Sequence, residues 1–483
     1  MTDLTARKRW LALYILCLGD LMIVLDSTIV NVALPSIRSD LGFSEASLAW
    51  VVNAYLLTFG GFLLLAGRLG DLYGQRRLFL IGIAEFTVAS LLCGLANSEG
   101  LLVAARAIQG LGGAIVSAIA LSLIMILFTE PAERAKAMGV IGFVLSGGGT
   151  AGVLLGGTLT DLLSWHWIFL VNIPVGIAVL ALSRALLPRD TMLRSGSLDI
   201  AGAATITASL MLAVYAIVNG NQEGWTSAQT LGMLGGAAAL LAAFLVIETR
   251  VSAPLMPLGI FRIRNVTSAN VTGILLAGAM FAWFFLSALY LQRVLGYSPL
   301  DVGFAFLPGT LLWGASSLFL SDKLVIRYGI KVPLVGGLLL YVVALLLFAR
   351  APVDGSYFVD VLPGMLILGI GGGITFNPIL LAAMSGVEPT EAGLASGVVN
   401  TSFMMGGALG LAILASVAAS RTDSLTSSGH GPLAALNGGY HVAFLIGAGF
   451  AVVAAAVAWA LIRAEAPAHV PEAEGMPAPA GER

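Results

Sequence analysis

The eleven residues Gly67-Arg68-Leu69-Gly70-Asp71-Leu72-Tyr73-Gly74-Gln75-Arg76-Arg77 separate two apolar runs, near 48–66 and 78–97. A bilayer core about 30 Å thick takes roughly 20 residues of helix to cross, and each run reaches that length. A charged turn between two such runs makes a helical hairpin, and its arginines hold the tip on the cytoplasmic side. The pattern returns 255 residues later as Lys323-Leu324-Val325-Ile326-Arg327-Tyr328-Gly329-Ile330-Lys331.

Working outward from this hairpin, apolar runs fall near 10–34, 48–66, 78–97, 100–128, 137–159, 167–187, 198–218, 228–248, 268–292, 300–320, 332–350, 358–384, 393–416 and 440–463. Fourteen crossings from a cytoplasmic N-terminus return the C-terminus to the cytoplasm. On that topology 19 of the 24 Lys and Arg lie inside, four lie outside, and Arg106 sits within a run. The bias follows the positive-inside rule, and an omitted or spurious span would scramble it downstream. The first run is too long for a cleavable signal peptide and contains two aspartates.

Composition agrees. Of 483 residues 58% are hydrophobic and 10% charged, against roughly 25% charged in soluble domains, and mean hydropathy is +0.96. These values exclude a cytosolic enzyme, a nucleic-acid partner and a disordered scaffold, and imply an all-α polytopic membrane protein. Cys17 and Cys93 both lie in apolar runs, and the four histidines show no metal-ligand spacing, so neither a disulfide framework nor a metal or other cofactor is expected.

Two further echoes join Gly110-Leu111-Gly112-Gly113 to Gly369-Ile370-Gly371-Gly372, and Ile168-Phe169-Leu170 to Ala443-Phe444-Leu445. They divide the chain into a six-helix bundle (1–190), an inserted pair, helices 7 and 8 (191–262), a second six-helix bundle (263–463) and a proline-bearing tail (464–483) expected to be disordered. Repeats enclosing a site at their interface are the plan of secondary transporters.

Gly67–Arg77 resembles the G-x-L-x-D-x-x-G-x-R/K-R/K signature of the major facilitator superfamily. Leu25-Asp26-Ser27-Thr28-Ile29-Val30-Asn31-Val32-Ala33-Leu34-Pro35 is similar to the first-helix motif of its fourteen-helix drug:proton antiporters. Arg106-Ala107-Ile108-Gln109-Gly110 and the segment from Trp165 through Asn172 and Pro174 to Gly176 match as well. The resemblance implies a proton-driven exporter of drugs or antibiotics in the bacterial inner membrane, acting as a monomer. Its partners would be protons, lipid and a small hydrophobic or cationic substrate.

Ionisable groups in mid-membrane are costly enough to be functional candidates by default. Four qualify: Asp20, Asp26, Glu85 and Arg106. Counting about 1.5 Å per residue, Asp26 and Arg106 lie at similar depth. They make either a proton-loading pair or a permanent ion pair holding helices 1 and 4. Asp20, nearer the midplane, faces either a cavity, where proton and cationic drug would compete for it, or a neighbouring helix. Glu85 is the weakest of the four, because in the family fold, as the resemblance implies, helix 3 borders the central cavity less than helices 1 and 4.

Resemblance makes the Gly67–Arg77 turn a cytoplasmic gate of Gly67, Asp71, Gly74, Arg76 and Arg77. In the second copy Ile326 stands where Asp71 does, so the gate is one-sided. In helix 5, Gly148, Gly152, Gly156 and Gly157 offer a face for close packing. Val153 stands where the antiporter motif has proline, which weakens what that motif implies about direction. Candidate substrate contacts are Trp50, Asn53, Tyr55, Trp283, Tyr290, Phe376, Asn377, Asn400 and Phe403, with Trp50 equally suited to an interfacial anchor. Helices 7 and 8 are expected to fill the lipid side of the gap between bundles. The alternatives to drug efflux are export of a single metabolite and proton-coupled uptake.

Overall fold

A computed structural model describes residues 6–44, 47–128, 130–187, 199–252, 254–385, 387 and 392–462. The tail at 464–483 and the Asp71 side chain lie outside the described residues. Among the described residues fourteen long helices follow one another: α1 (Ala6–Leu41), α2 (Trp50–Tyr73), α3 (Gln75–Gly94), α4 (Glu99–Leu127), α5 (Pro131–Leu162), α6 (Asn172–Leu186), α7 (Ile200–Glu223), α8 (Ala228–Arg250), α9 (Arg264–Leu289), α10 (Pro299–Ser316), α11 (Lys331–Phe348), α12 (Leu362–Met384), α13 (Ala392–Ser427) and α14 (Pro432–Leu461). Among the described residues thirteen helices, all but α5, are long and apolar enough to cross a membrane.

Local chemistry sets many of the starts. Ser98, Asp199, Ser227 and Ser298 cap α4, α7, α8 and α10 by accepting backbone N–H bonds, and Ser298 and Asp301 form a reciprocal capping box. Pro131, Pro299 and Pro432 occupy the first turns of α5, α10 and α14, where a missing N–H costs nothing.

Packing repeats between the two sets of six helices. In the first, α1 meets α5, α4 and α6; α2 meets α4; and α3 meets α4 and α6. In the second, α9 meets α13, α12 and α14; α10 meets α12; and α11 meets α12 and α14. The match extends to single residues. The α2–α3 turn is one residue, Gly74 at φ +98°, and the α10–α11 turn closes on Gly329 at φ +74°, both left-handed values that favour glycine. On α5, Gly152 and Gly156 lie against the backbone of α1 at Leu25 and Ile29; on α13, Gly406 and Gly410 lie against α9 at Ile274 and Gly278.

The two sets meet along α5–α10 and α2–α13, with a lighter α1–α9 contact. Just past the end of α9, the Gln292 amide donates to the Val32 carbonyl of α1 at 2.8 Å. Nearby, Gly157 abuts the backbone of Pro299 and Leu300, and Gly303 that of Val153 and Leu154. The inserted α7 packs on both α2 and α13, whereas α8 leans mainly on α7. Thr207 of α7 fills the space over Gly61 of α2, and Ser416 of α13 donates to the Ile217 carbonyl of α7 at 3.0 Å.

Candidate functional site: a buried ion pair on the first and fourth helices

α1, α2, α3, α4 and α6 converge on Asp26 and Arg106, both 0% exposed. One guanidinium nitrogen of Arg106, Nη1, donates to Asp26 Oδ2 at 2.5 Å and to Gln109 Oε1 at 2.7 Å, while Nε donates to the Val51 carbonyl at 2.9 Å. The other carboxylate oxygen, Asp26 Oδ1, accepts from Gln109 Nε2 at 2.7 Å and from Asn172 Nδ2 at 3.1 Å. Gln109 also donates to Ser90 Oγ at 2.9 Å. The Tyr55 ring lies 4.4 Å from the guanidinium carbon, and that of Phe169 5.6 Å, a geometry that favours a cation over an aromatic face.

Such burial is tolerable only because every charge is met. Moving an ion out of water costs several kcal/mol even after relaxation, and only close, well-bonded geometry offsets it. The carboxylate accepts three hydrogen bonds and the guanidinium donates three, so removing any one partner leaves a charge-bearing group short. Equal depth along the chain thus becomes direct contact in space. Sequence reasoning did not assign Gln109, Asn172 and Ser90 to the site, although Gln109 and Asn172 stand inside the motif segments. The signal was available for Gln109, since three residues after Arg106 places it on the same helix face.

Three positions on α4, Gln109, Gly112 and Ser117, mark successive levels at which a polar group meets the helix. At the last, Ser117 donates to Asp20 Oδ1 at 3.1 Å, so Asp20, 7% exposed, is turned toward a neighbouring helix. At the middle level Glu85 of α3 lies against Gly112, and neither of its carboxylate oxygens has a hydrogen-bond partner among the described residues. Tyr55 is buried beside Phe59 at 5.8 Å, and neither its hydroxyl nor the Asn53 amide finds a partner among the described residues.

The remaining candidates are dispersed. Trp283, 3% exposed, sits in an aromatic cluster with Phe284, Phe306 and Phe348 at 4.7, 5.5 and 5.7 Å. Tyr290 is buried and donates to the Pro352 carbonyl at 2.7 Å, tying α9 to the connection after α11. Phe403 bridges Phe281 and the exposed Phe376 at 6.2 and 5.7 Å, with Asn377 and Asn400 half-buried on α12 and α13. Trp50 lies 6.4 Å from Tyr215 of the inserted α7. Gly148, Gly152 and Gly156 face α1, and Gly157 faces α10. In the hairpin turn, Gly67 has open space beside it, Gly74 makes the turn, Arg77 is exposed and Arg76 donates to the Arg184 carbonyl at the end of α6.

Among solved structures, a bacterial homologue of the human lysosomal transporter Spinster, in an inward-facing and occupied conformation, superposes with a TM-score of 0.68. It is 16% identical and covers 95% of this chain and 98% of its own, a likeness of fold. Puromycin resistance protein pur8 of Streptomyces alboniger is 40% identical over 482 residues, 98% of this chain and 95% of its own. The cephamycin export protein CmcT of Amycolatopsis lactamdurans is 39% identical over 417 residues, 85% of each chain. The family model of the Major Facilitator Superfamily matches residues 16–411. The chain is therefore a multi-pass membrane protein that belongs to the major facilitator superfamily of transporters.

Proposed function

We propose that the protein exports hydrophobic, antibiotic-like molecules in exchange for protons by alternating access. On this reading fourteen helices span the membrane with both termini in the cytoplasm. The two six-helix sets are the rocking halves, and the protein works as a monomer. The observation that carries the coupling is the Asp26–Arg106 pair inside its ring of Gln109, Asn172 and the Val51 carbonyl.

A proton taken up by Asp26 cancels the charge that neutralises Arg106. The guanidinium then keeps the Val51 carbonyl, the Gln109 oxygen and the Tyr55 face, and the α1–α4 contact has lost its strongest attraction. Release of the proton restores it. This gives two arrangements of the same helices separated by one protonation, the element that coupling requires. One proton entering across 100 mV supplies about 2.3 kcal/mol, enough for more than a tenfold substrate gradient at about 1.4 kcal/mol per decade. Asp20 supplies a second carboxylate for a proton or a cationic substrate. The Gly67–Arg77 turn serves as the cytoplasmic gate, and Phe376, Asn377, Asn400 and Phe403 mark a substrate wall on the second half.

Export rather than uptake is supported by the relatives: proteins 33–40% identical carry names of antibiotic resistance and export. A second reading, export of one dedicated compound, is favoured by the single antibiotics in several of those names, against a relative called multidrug resistance protein Stp. The test is drug-induced pH change in inside-out vesicles, with wild type beside Asp26→Asn. Proton release on adding a lipophilic cation, lost in the variant, supports antiport through Asp26. Full coupling in the variant assigns Asp26 a structural role. Silence of the wild type across a broad panel, with a response to one compound alone, favours the dedicated exporter.

A further inference from the structure

Away from the buried pair, α3 and α6 form a corner whose rim shares Arg76 and Arg77 with the proposed cytoplasmic gate. Mid-helix they touch closely: a side chain added at Gly176 of α6 would overlap Thr87 of α3. Toward the start of α3 and the end of α6 they splay, and a cleft of about 490 Å³ opens between them. Its rim carries three cations, Arg76, Arg77 and Arg184, while Leu80, Ile81 and Leu180 line the wall one to two turns deeper. Arg77 and Arg184 are exposed, and Ile81 is 47% exposed on the outer surface of the bundle. Arg76 donates to the Arg184 backbone carbonyl and so ties the two helix ends together at the rim.

From this arrangement we infer that the α3–α6 cleft is a binding site for an anionic phospholipid, the headgroup phosphate held by Arg77 and Arg184 and an acyl chain lying along Leu80, Ile81 and Leu180. The argument is one of matched polarity along one axis. Arginine forks suit phosphate oxygens, and basic pockets between membrane helices take anionic headgroups. The apolar wall directly beneath them gives a free phosphate nothing to contact, whereas a lipid uses both. The second half supplies an internal comparison. At the equivalent corner, between the start of α11 and the end of α14, Lys331 lies 4.6 Å from the Trp459 ring, so that the indole meets the cation where a chain would lie, and Arg264 of α9 donates to the Ala460 carbonyl. The arginine rim over an open apolar wall thus belongs to the first half, where the cleft is open, and the site holds whether or not transport is coupled to protons.

The experiment is native mass spectrometry of the purified full chain released from detergent, titrated with palmitoyl-oleoyl phosphatidylglycerol, with phosphatidylcholine, and with inorganic phosphate as competitor. Expected is one phosphatidylglycerol retained per chain in preference to phosphatidylcholine, unaffected by millimolar phosphate. Affinity should fall about fivefold for each arginine removed, roughly 25-fold in Arg77→Gln/Arg184→Gln, and stay unchanged in Lys331→Gln. Ala84→Trp keeps all three charges and fills the wall, and should also expel the lipid, so a folding defect in the double variant does not end the test. Equal retention by wild type and both variants overturns the assignment, as does displacement of the lipid by phosphate alone.

Discussion

Replacing Asp26 by Asn removes one charge and almost no volume, yet it should be among the most damaging single changes available. The carboxylate offers two acceptors, one to Arg106 and one shared by Gln109 and Asn172. An asparagine has one acceptor oxygen, so its NH₂ must face either the guanidinium or both amide donors. A buried arginine is left without its counter-charge, and breaking a buried pair from one side costs about 3–5 kcal/mol. Arg106→Gln should cost a similar amount, because the carboxylate then keeps only the two amides. In Asp26→Asn/Arg106→Gln no charge remains, and the double variant should be about 2–3 kcal/mol more stable than the sum of the single effects predicts. The assay is equilibrium denaturant unfolding in detergent, read as free energy by linear extrapolation. If Asp26→Asn lies within about 0.5 kcal/mol of wild type, or if the single costs simply add, the two residues are not an energetically coupled pair and the site has been misread.

Four further outcomes follow from the packing and the hydrogen bonds. Gly156→Leu drives a side chain into the Ile29 backbone, whose oxygen lies 2.5 Å from where a Cβ would stand; it should cost at least about 1–3 kcal/mol. Gly147→Ala, with nothing within 4 Å, should stay within about 0.5 kcal/mol of wild type in the same unfolding assay. Gly74→Ala forces a side chain onto a backbone at φ +98° and should cost about 1–3 kcal/mol, seen as a lowered thermal midpoint. Tyr290→Phe deletes the bond to Pro352 and should cost about 0.5–1.5 kcal/mol, small enough that the folded protein remains purifiable for the measurement.

Element order, span positions and the repeat were legible in the chain because they depend on length and punctuation. The Gly74 and Gly329 turns stand 255 residues apart in sequence and share a left-handed backbone in space. Depth was legible too, since about 1.5 Å of rise per residue brings Asp26 and Arg106 to a similar level. Rotation about the helix axis was not. A helix apolar on every side carries no stripe to say which face is inward. Nothing local distinguished Trp283, closed in among phenylalanines, from Phe376, 39% exposed. The same gap hid Asn172, whose partner lies 146 residues earlier in the chain and is met only once α6 is turned toward α1.

The inserted α7 bears on how such a molecule can move. It is fastened to one half through the Ser416 bond and seated on the other through Thr207 over Gly61. A strap joined to both covers of a book must slide on one of them when the book opens. The contact at Gly61 is van der Waals packing with no hydrogen bond from Thr207 among the described residues, whereas the contact at Ser416 is bonded. On the proposed rocking motion, slippage would fall at α2, and α7 with α8 behind it would travel with the second half. The seam is then covered by a third helix on the α2–α13 side alone, while on the other side α5 and α10 meet each other directly, backbone against backbone at Gly157 and Gly303.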